Sequence, residues 1–199
     1  MSPSPLILAS ASPRRRALLE QLGIECTVVQ QDIDETRRKG ELPVAYVRRM
    51  AQEKAAAALG SCRQPHALIL GADTIVVLDG EVMGKPRDEL DARRMLLQLS
   101  NREHEVLSAV TVVSQADSET ALSISHVKFR VISPLEVAAY WATGEPAGKA
   151  GAYAIQGRAA VFIEHLSGSY SGVMGLPLFE TAQLLDAFGI HCLARHAEQ

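Results

Sequence analysis

Short apolar runs alternate with amphipathic segments along this chain, and that alternation constrains the fold more than any other feature. The runs "PLILAS" (5–10) and "HEVLSAVTVV" (104–113) have the length and apolar content of buried β-strands. In "ALSISHVKFRVIS" (121–133) apolar residues alternate with polar ones, as in a half-buried strand. Asp79-Gly80 is typical of a two-residue hairpin. Interleaved helices together with a hairpin predict an α/β chain with a mixed sheet flanked by helices.

Helix-start signals divide the rest of the sequence. Helices are expected to begin near Pro13, Pro43, Asp88, Ser133 and Pro177, where proline or a capping residue precedes an apolar stripe. The apolar segment from residue 66 to 83 is expected to break at Gly71-Ala72-Asp73 into two strands. Asp73 would then follow directly after a strand, at the edge of the sheet where α/β proteins bind ligands.

Composition limits the class of protein. The chain has 199 residues, of which 47% are hydrophobic, so it can bury a sizeable core. A single domain over 1–199 is expected. A net charge of −3 argues against general nucleic-acid binding. Three well-separated cysteines without a CxxC pair are typical of reduced thiols rather than a zinc site. Without a membrane-length apolar run or a signal-peptide pattern, the expected location is the cytoplasm.

Three consecutive arginines lie at helix positions where positive charge is unfavourable. Arg14, Arg15 and Arg16 fall in the first turn of the helix that begins at Pro13, at the positive end of its dipole. A bound phosphate would resolve this conflict, because backbone N–H groups and guanidinium groups would converge on one anion. The spacing favours Arg14 as the ligand contact and Arg16 as a surface residue.

Other charged residues could share a site with these arginines. Lys54 falls on the apolar side of its helix, either reaching for water or serving as a cation in a cleft. Asp73 could be a metal ligand, a general base or a turn former, and Lys85 lies close to the return of the hairpin. Glu35, in the acidic stretch "QDIDETR", is one of three carboxylates that could help to hold magnesium beside a polyphosphate.

Four motifs in order resemble the Maf family of nucleoside triphosphate pyrophosphatases. They are "LILASASPRRRALLEQLG", "GADTIVVLDGEVMGKPRD", "KAGAYAIQG" and "GSYSGVMGLPLFET", within a match from about residue 6 to residue 188. The resemblance implies an elongated, curved mixed sheet with a central cleft between two lobes. It also implies hydrolysis of a nucleoside triphosphate to the monophosphate and pyrophosphate with a divalent metal, Mg²⁺ or Mn²⁺, and a homodimer.

The resemblance also implies roles for individual residues. Asp73 would be the proton acceptor and would hold the metal together with Glu35. Substrate choice would depend on Arg14, Thr74 and Gln156, and the other polar cleft positions would be Ser10, Lys54, Lys85 and Lys149. The amide of Gln156 matches the O4 and N3–H edge of uracil or thymine.

The "KAGAYAIQG" stretch resembles the branch of the family that acts on dTTP and UTP, including some modified pyrimidine nucleotides. Three alternatives stay open: a 7-methyl-GTP pyrophosphatase, a sugar-phosphate nucleotidyltransferase, and a non-catalytic nucleotide-binding regulator of cell division. One departure bears on the last of these. Gly148 stands where the family usually has an aspartate before the lysine, which predicts lower activity or a shifted preference.

Overall fold

The computed structural model describes residues 4–193 and contains one mixed sheet. Its strands are β1 (Leu6–Ala9), β2 (Thr27–Val28), β3 (Leu68–Leu78), β4 (Glu81–Met83), β5 (Glu103–Val113), β6 (Ser118–Phe129) and β7 (Ile163–Ser167). They run in the order β2-β1-β3-β5-β6-β7, and β4 pairs with β3 as a hairpin. Strand β1 is parallel to both of its neighbours, and the other pairs are antiparallel. The predicted mixed sheet is confirmed, and three strands of 11 or 12 residues make it long.

Helices flank the sheet. The five helices expected from the sequence begin at or next to their predicted positions, and a short helix at 170–174 was not expected. They are α1 (Pro13–Gln21), α2 (Pro43–Ser61), α3 (Glu89–Leu99), α4 (Pro134–Trp141), α5 (Tyr170–Met174) and α6 (Leu178–Ala187). Asp88 accepts a hydrogen bond from the Asp91 amide at 2.8 Å, and Ser133 forms the expected capping box with Glu136. Within residues 4–193, no helix has both the length and the apolar character that a bilayer crossing requires.

The expected break at Gly71-Ala72-Asp73 is wrong, because β3 runs through these residues as one continuous strand. Gly71 instead lies where α2 packs closely against β3. A Cβ at this position would lie 2.3 Å from the Ala51 carbonyl oxygen and 2.7 Å from the Ala55 amide nitrogen, both on α2. The glycine therefore allows α2 to lie directly against the strand. Asp73 is an interior residue of β3, not a residue that follows a strand.

Two other expected strands are shorter than their apolar runs. The segment "ECTVVQQD" contributes only Thr27–Val28, an exposed pair at the edge of the sheet. The strand expected near 160–165 begins at Ile163, because residues 158–162 form a 3₁₀ turn. Edge segments gain little burial from pairing, so their apolar content predicts strand length poorly.

Two apolar clusters cover one face of the sheet and are separated by a polar pair. One cluster includes Val76, Val106 and Phe129, and the other includes Leu70, Ala72 and Val110. Thr74 on β3 and Ser108 on β5 are cross-strand partners between these clusters. Helix α2 packs on the opposite face, against Ile75 and Val77. The polar pair therefore divides the apolar packing on this face of the sheet into two parts.

One edge of β3 changes partner in the middle of the strand. Residues 68–71 pair with β1, and residues 76–78 pair with β4. Residues 72–75 therefore have no strand partner on that edge. Because successive side chains of a strand point to opposite faces, Asp73 and Thr74 reach this gap from the two sides of the sheet.

His104 predicts a specific pH dependence of stability. Its ring is buried against Phe129, and its Nε2 lies 2.8 Å from the Tyr153 hydroxyl. Among residues 4–193, its Nδ1 has no hydrogen-bond partner. Burial lowers the pKa of His104 to about 4, from an ordinary value of 6.5. Between pH 6.5 and 4 the unfolded chain binds a proton that the folded chain does not. The contribution of His104 to the free energy of unfolding is therefore expected to fall by about 3 kcal/mol over this window and to level off below it.

Denaturant titrations at half-unit pH intervals measure this effect. A His104→Gln variant, which cannot titrate, should lose most of the slope between pH 6.5 and 4. Carboxylates such as Glu136, whose pKa is lowered to about 2 by hydrogen bonds from Arg130 and Ser133, destabilise the fold only below pH 4.5. An unchanged slope in the variant would contradict the assignment to His104.

Candidate active site

A cleft of about 440 Å³ opens at the gap in the edge of β3. Every site residue predicted from the sequence lines it: Ser10, Arg14, Glu35, Lys54, Asp73, Thr74, Lys85, Lys149 and Gln156. They come from the end of β1, the start of α1, α2, β3, the segment after β4, and the loops before α2 and β7. The fold thus brings together residues that are up to 146 positions apart, from Ser10 to Gln156.

Lys54 joins the two carboxylates of the cleft. Its Nζ lies 2.7 Å from Asp73 Oδ1 and 2.7 Å from Glu35 Oε1. Lys54 and Asp73 are mostly buried, with 12% and 14% of their side chains exposed. Lys85 is more exposed to solvent, and its Nζ lies 3.7 Å from Glu35 Oε2. A cation therefore already stands where the two carboxylates converge, which resolves the two interpretations of Lys54 in favour of the cleft.

The segment that carries Glu35 has no regular secondary structure, and hydrogen bonds from α2 hold it. The Tyr46 hydroxyl donates to the Glu35 carbonyl at 2.8 Å, and Arg49 Nη2 donates to the Thr36 carbonyl at 3.1 Å. Burial raises the pKa of Glu35, but the hydrogen bond and charge of Lys54, with the charge of Lys85, outweigh it and lower the pKa overall. Glu35 therefore carries its negative charge at neutral pH.

In the arginine cluster, Arg14 lies in the cleft and Arg16 on the surface, as expected, and Arg15 also lies in the cleft. Arg14 lines the cleft, and its Nε donates to the Met174 carbonyl at 3.3 Å. Arg15 also lines the cleft, and donates to the Gly175 carbonyl at 2.8 Å and to Ser10 Oγ at 3.1 Å. Arg16 is on the surface, paired with Glu20. Burial lowers the pKa of both Arg14 and Arg15, and Asp73 partly offsets this for Arg15.

Arg15 is the cleft residue that the sequence did not single out. A helical wheel gives Arg14 and Arg15 directions about 100° apart, and the spacing favoured Arg14 alone as the ligand contact. The first turn of α1, however, lies under the α5 turn, and carbonyls of Met174 and Gly175 draw both side chains into the cleft.

Gln156 and Lys149 lie on the loop opposite the arginines. Gln156 is exposed, while Lys149 donates to the Ala147 carbonyl at 3.1 Å. Glu145 anchors this loop by accepting hydrogen bonds from the Tyr140 hydroxyl at 2.7 Å and from the Arg158 amide at 3.0 Å. Next to Lys149, Gly148 has a φ of +69° and open space around its Cα. An aspartate there would fit sterically, at the cost of a left-handed backbone conformation.

Comparison with known proteins gives the family. A family model described as Maf-like protein matches residues 5–188. The chain belongs to the Maf family. This Maf chain is 54% identical over 189 residues to a protein of Xanthomonas axonopodis pv. citri named dTTP/UTP pyrophosphatase, covering 94% of this chain and 100% of the relative. It is 52% identical over 187 residues to a Saccharophagus degradans protein of the same name, covering 93% of this chain and 89% of the relative.

Solved structures that this Maf chain is similar to include the Staphylococcus aureus Ham1 protein. That match has a TM-score of 0.47 and 13% sequence identity, and it covers 63% of this chain and 72% of the other. A HAM1 protein from Coxiella burnetii matches with a TM-score of 0.46 and 16% identity, covering 64% and 73%.

Proposed function

We propose that this chain hydrolyses dTTP and UTP to the nucleoside monophosphate and pyrophosphate. The observation that carries the proposal is the pair of carboxylates, Glu35 and Asp73, held 2.7 Å from one Lys54 ammonium in a cleft that Arg14 and Arg15 also line. A triphosphate brings several negative charges, and these cations would neutralise them. The relatives named dTTP/UTP pyrophosphatase support the choice of nucleotide.

The two carboxylates also fit a divalent metal. Within residues 4–193, no group of three or more histidine, cysteine, aspartate or glutamate residues could hold a metal on its own. Mg²⁺ needs only one or two protein carboxylates when substrate phosphates and water complete its coordination. Glu35 and Asp73 would hold the metal, and when bound it would offset charge on the phosphates.

The chain's own residues would perform the other steps. Asp73 orients a water molecule and takes its proton as the water oxygen bonds to the α-phosphorus. The bond from that phosphorus to the bridging oxygen breaks, and pyrophosphate leaves with the electron pair. Arg14, Arg15, Lys54 and Lys85 surround the charge that the leaving group gains. Gln156 would bind the O4 and N3–H edge of the pyrimidine.

Pyrophosphate release from dTTP, UTP, CTP, dATP, GTP and 7-methyl-GTP, with Mg²⁺ or Mn²⁺, tests the proposal. Rapid release from dTTP and UTP is expected. Release from 7-methyl-GTP alone would contradict the pyrimidine assignment, and a requirement for a sugar phosphate would indicate a nucleotidyltransferase. Nucleotide binding without release would favour the regulator and would draw attention to Gly148. The cytoplasmic location and the homodimer stay predictions.

The three arginines should differ sharply in their effect on activity. Arg15→Ala removes a charged donor that two contacts hold in place, so kcat/KM should fall by about 10²–10³. Arg16→Ala is the matched control on the next residue. Its kcat/KM should stay within about twofold of the wild type because Arg16 is exposed and pairs with Glu20 on the surface. Steady-state kinetics with dTTP measure both. Equal losses in the two variants would contradict the assignment.

A further inference from the structure

A buried hydroxyl lies directly behind a cleft residue of the proposed active site. Ser108 on β5 is 1% exposed, and its Oγ lies 2.7 Å from Oγ1 of Thr74, its cross-strand partner on β3. Ser108 Oγ also lies 2.6 Å from the Gly172 carbonyl oxygen. Thr74 lines the cleft, whereas Ser108 does not.

These distances fix the direction of the hydroxyl protons. A carbonyl oxygen only accepts, so the 2.6 Å contact requires Ser108 to donate its single proton to Gly172. Two hydroxyl oxygens 2.7 Å apart need a proton between them, and that proton must come from Thr74. Other contacts agree with this assignment. Arg15 Nη2, which can only donate, approaches Thr74 Oγ1 at 3.5 Å, and the alternative acceptor for the Thr74 proton, the Gly175 carbonyl, is farther away at 3.3 Å.

We propose that Ser108 is a positioning residue that makes Thr74 a hydrogen-bond acceptor toward the cleft. The inference rests on the proposed function and deepens it, because it defines the substrate group that Thr74 meets. A hydroxyl whose proton points away from the cleft repels a phosphate oxygen and binds a donor. On dTTP and UTP the donors are the hydroxyl groups of the sugar and the imide N3–H of the base, which Thr74 would share with Gln156.

Removing the Ser108 hydroxyl should weaken this preference. In Ser108→Ala the Thr74 proton loses its acceptor and is free to turn toward Gly175 or toward the cleft, where it would face a substrate donor. The value of kcat/KM for UTP should then fall by about tenfold, the size of one ordinary hydrogen bond. Thr74→Val, which keeps the side-chain shape but has no acceptor, should lose a similar amount.

A double-mutant cycle distinguishes an effect of Ser108 that acts through Thr74 from general structural support by Ser108. If Ser108 acts through Thr74, the variant with both substitutions should be no worse than Thr74→Val alone. Ser125→Ala is the matched control. Ser125 is also 1% exposed and also anchors the same loop, through Ser169, but it has no contact with Thr74. Its kcat/KM should stay within about twofold of the wild type. Losses that multiply independently in the cycle would overturn the inference.

Two nucleotide comparisons identify the donor. CTP lacks the N3–H, and 2′,3′-dideoxy-TTP lacks sugar hydroxyls. If the imide is the partner, the preference for UTP over CTP should shrink by about tenfold in both Ser108→Ala and Thr74→Val. If the sugar is the partner, the preference for dTTP over the dideoxy nucleotide should shrink instead. If neither preference changes, the inference is wrong.

The same cycle can be measured without turnover. Calorimetric affinities for the α,β-methylene analogues of UTP and CTP report the contact at Thr74 directly. A wild-type chain that binds these analogues but releases no pyrophosphate from dTTP or UTP would contradict the proposed function alone. If the Ser108 and Thr74 substitutions have additive effects on affinity, and the wild-type chain turns over dTTP normally, only the proposed positioning role of Ser108 is contradicted.

Discussion

Replacing Asp73 by asparagine should lower the turnover of dTTP by about 10²–10⁴, the usual contribution of a positioned proton acceptor. The amide has nearly the same shape as the carboxylate, but it cannot take a proton and binds a metal poorly. The fold should survive, because Lys54 keeps its partner Glu35 at 2.7 Å. Nucleotide should still bind, since Arg14, Arg15 and Lys85 are unchanged.

Asp79→Asn is the matched control for this substitution. Asp79 lies six residues farther along the same segment, at the hairpin, where it pairs on the surface with Arg102. Its φ of +52° suits asparagine as well as aspartate, so turnover should match that of the wild type. Calorimetry and pyrophosphate release should be measured on the same preparations. Normal turnover by Asp73→Asn would exclude Asp73 as the proton acceptor.

Local signals in the sequence predicted most of the fold. The helix starts at Pro13, Pro43 and Pro134 were readable because proline at a first helical position fixes φ without losing a hydrogen bond. The hairpin at Asp79-Gly80 was readable because both residues have positive φ, as that turn requires. These features depend on neighbouring residues alone, so no tertiary information was needed.

The parts that could not be predicted depend on tertiary contacts. A glycine within an apolar run is equally consistent with a turn and with close packing, and only the position of α2 decides for Gly71. Likewise, the approach of α5 decides that Arg15 enters the cleft. The family resemblance named residues that the structure brings together in one cleft, and their roles stay predictions. Their mutual contacts, such as Lys54 with both carboxylates, required the structure.

Gly71→Ala should damage both the fold and the site, since one methyl group would have to fit where α2 now lies. The new Cβ would stand 2.3 Å from the Ala51 carbonyl oxygen and 2.9 Å from the Ala55 Cβ, and the nearest of these atoms belong to the helix backbone. Helix α2 must therefore move, which should cost about 1–3 kcal/mol or more of unfolding free energy. For a chain of this size, that cost lowers Tm by roughly 2–12 °C.

The same displacement should weaken catalysis, because Lys54 lies on α2 one turn beyond Met50 and its ion pair with Asp73, two residues after Gly71, spans the same interface. A shift of 1 Å would stretch the 2.7 Å contact beyond hydrogen-bonding distance.

Gly60→Ala is the matched control. Gly60 lies in the last turn of α2, where an added Cβ would meet nothing within 4 Å, so alanine there should stabilise the helix slightly. Thermal unfolding and dTTP turnover, both measured well below the lowered Tm, distinguish the two effects. A Gly71→Ala chain that loses stability but keeps full activity would show that the Lys54–Asp73 contact does not depend on the spacing between α2 and β3.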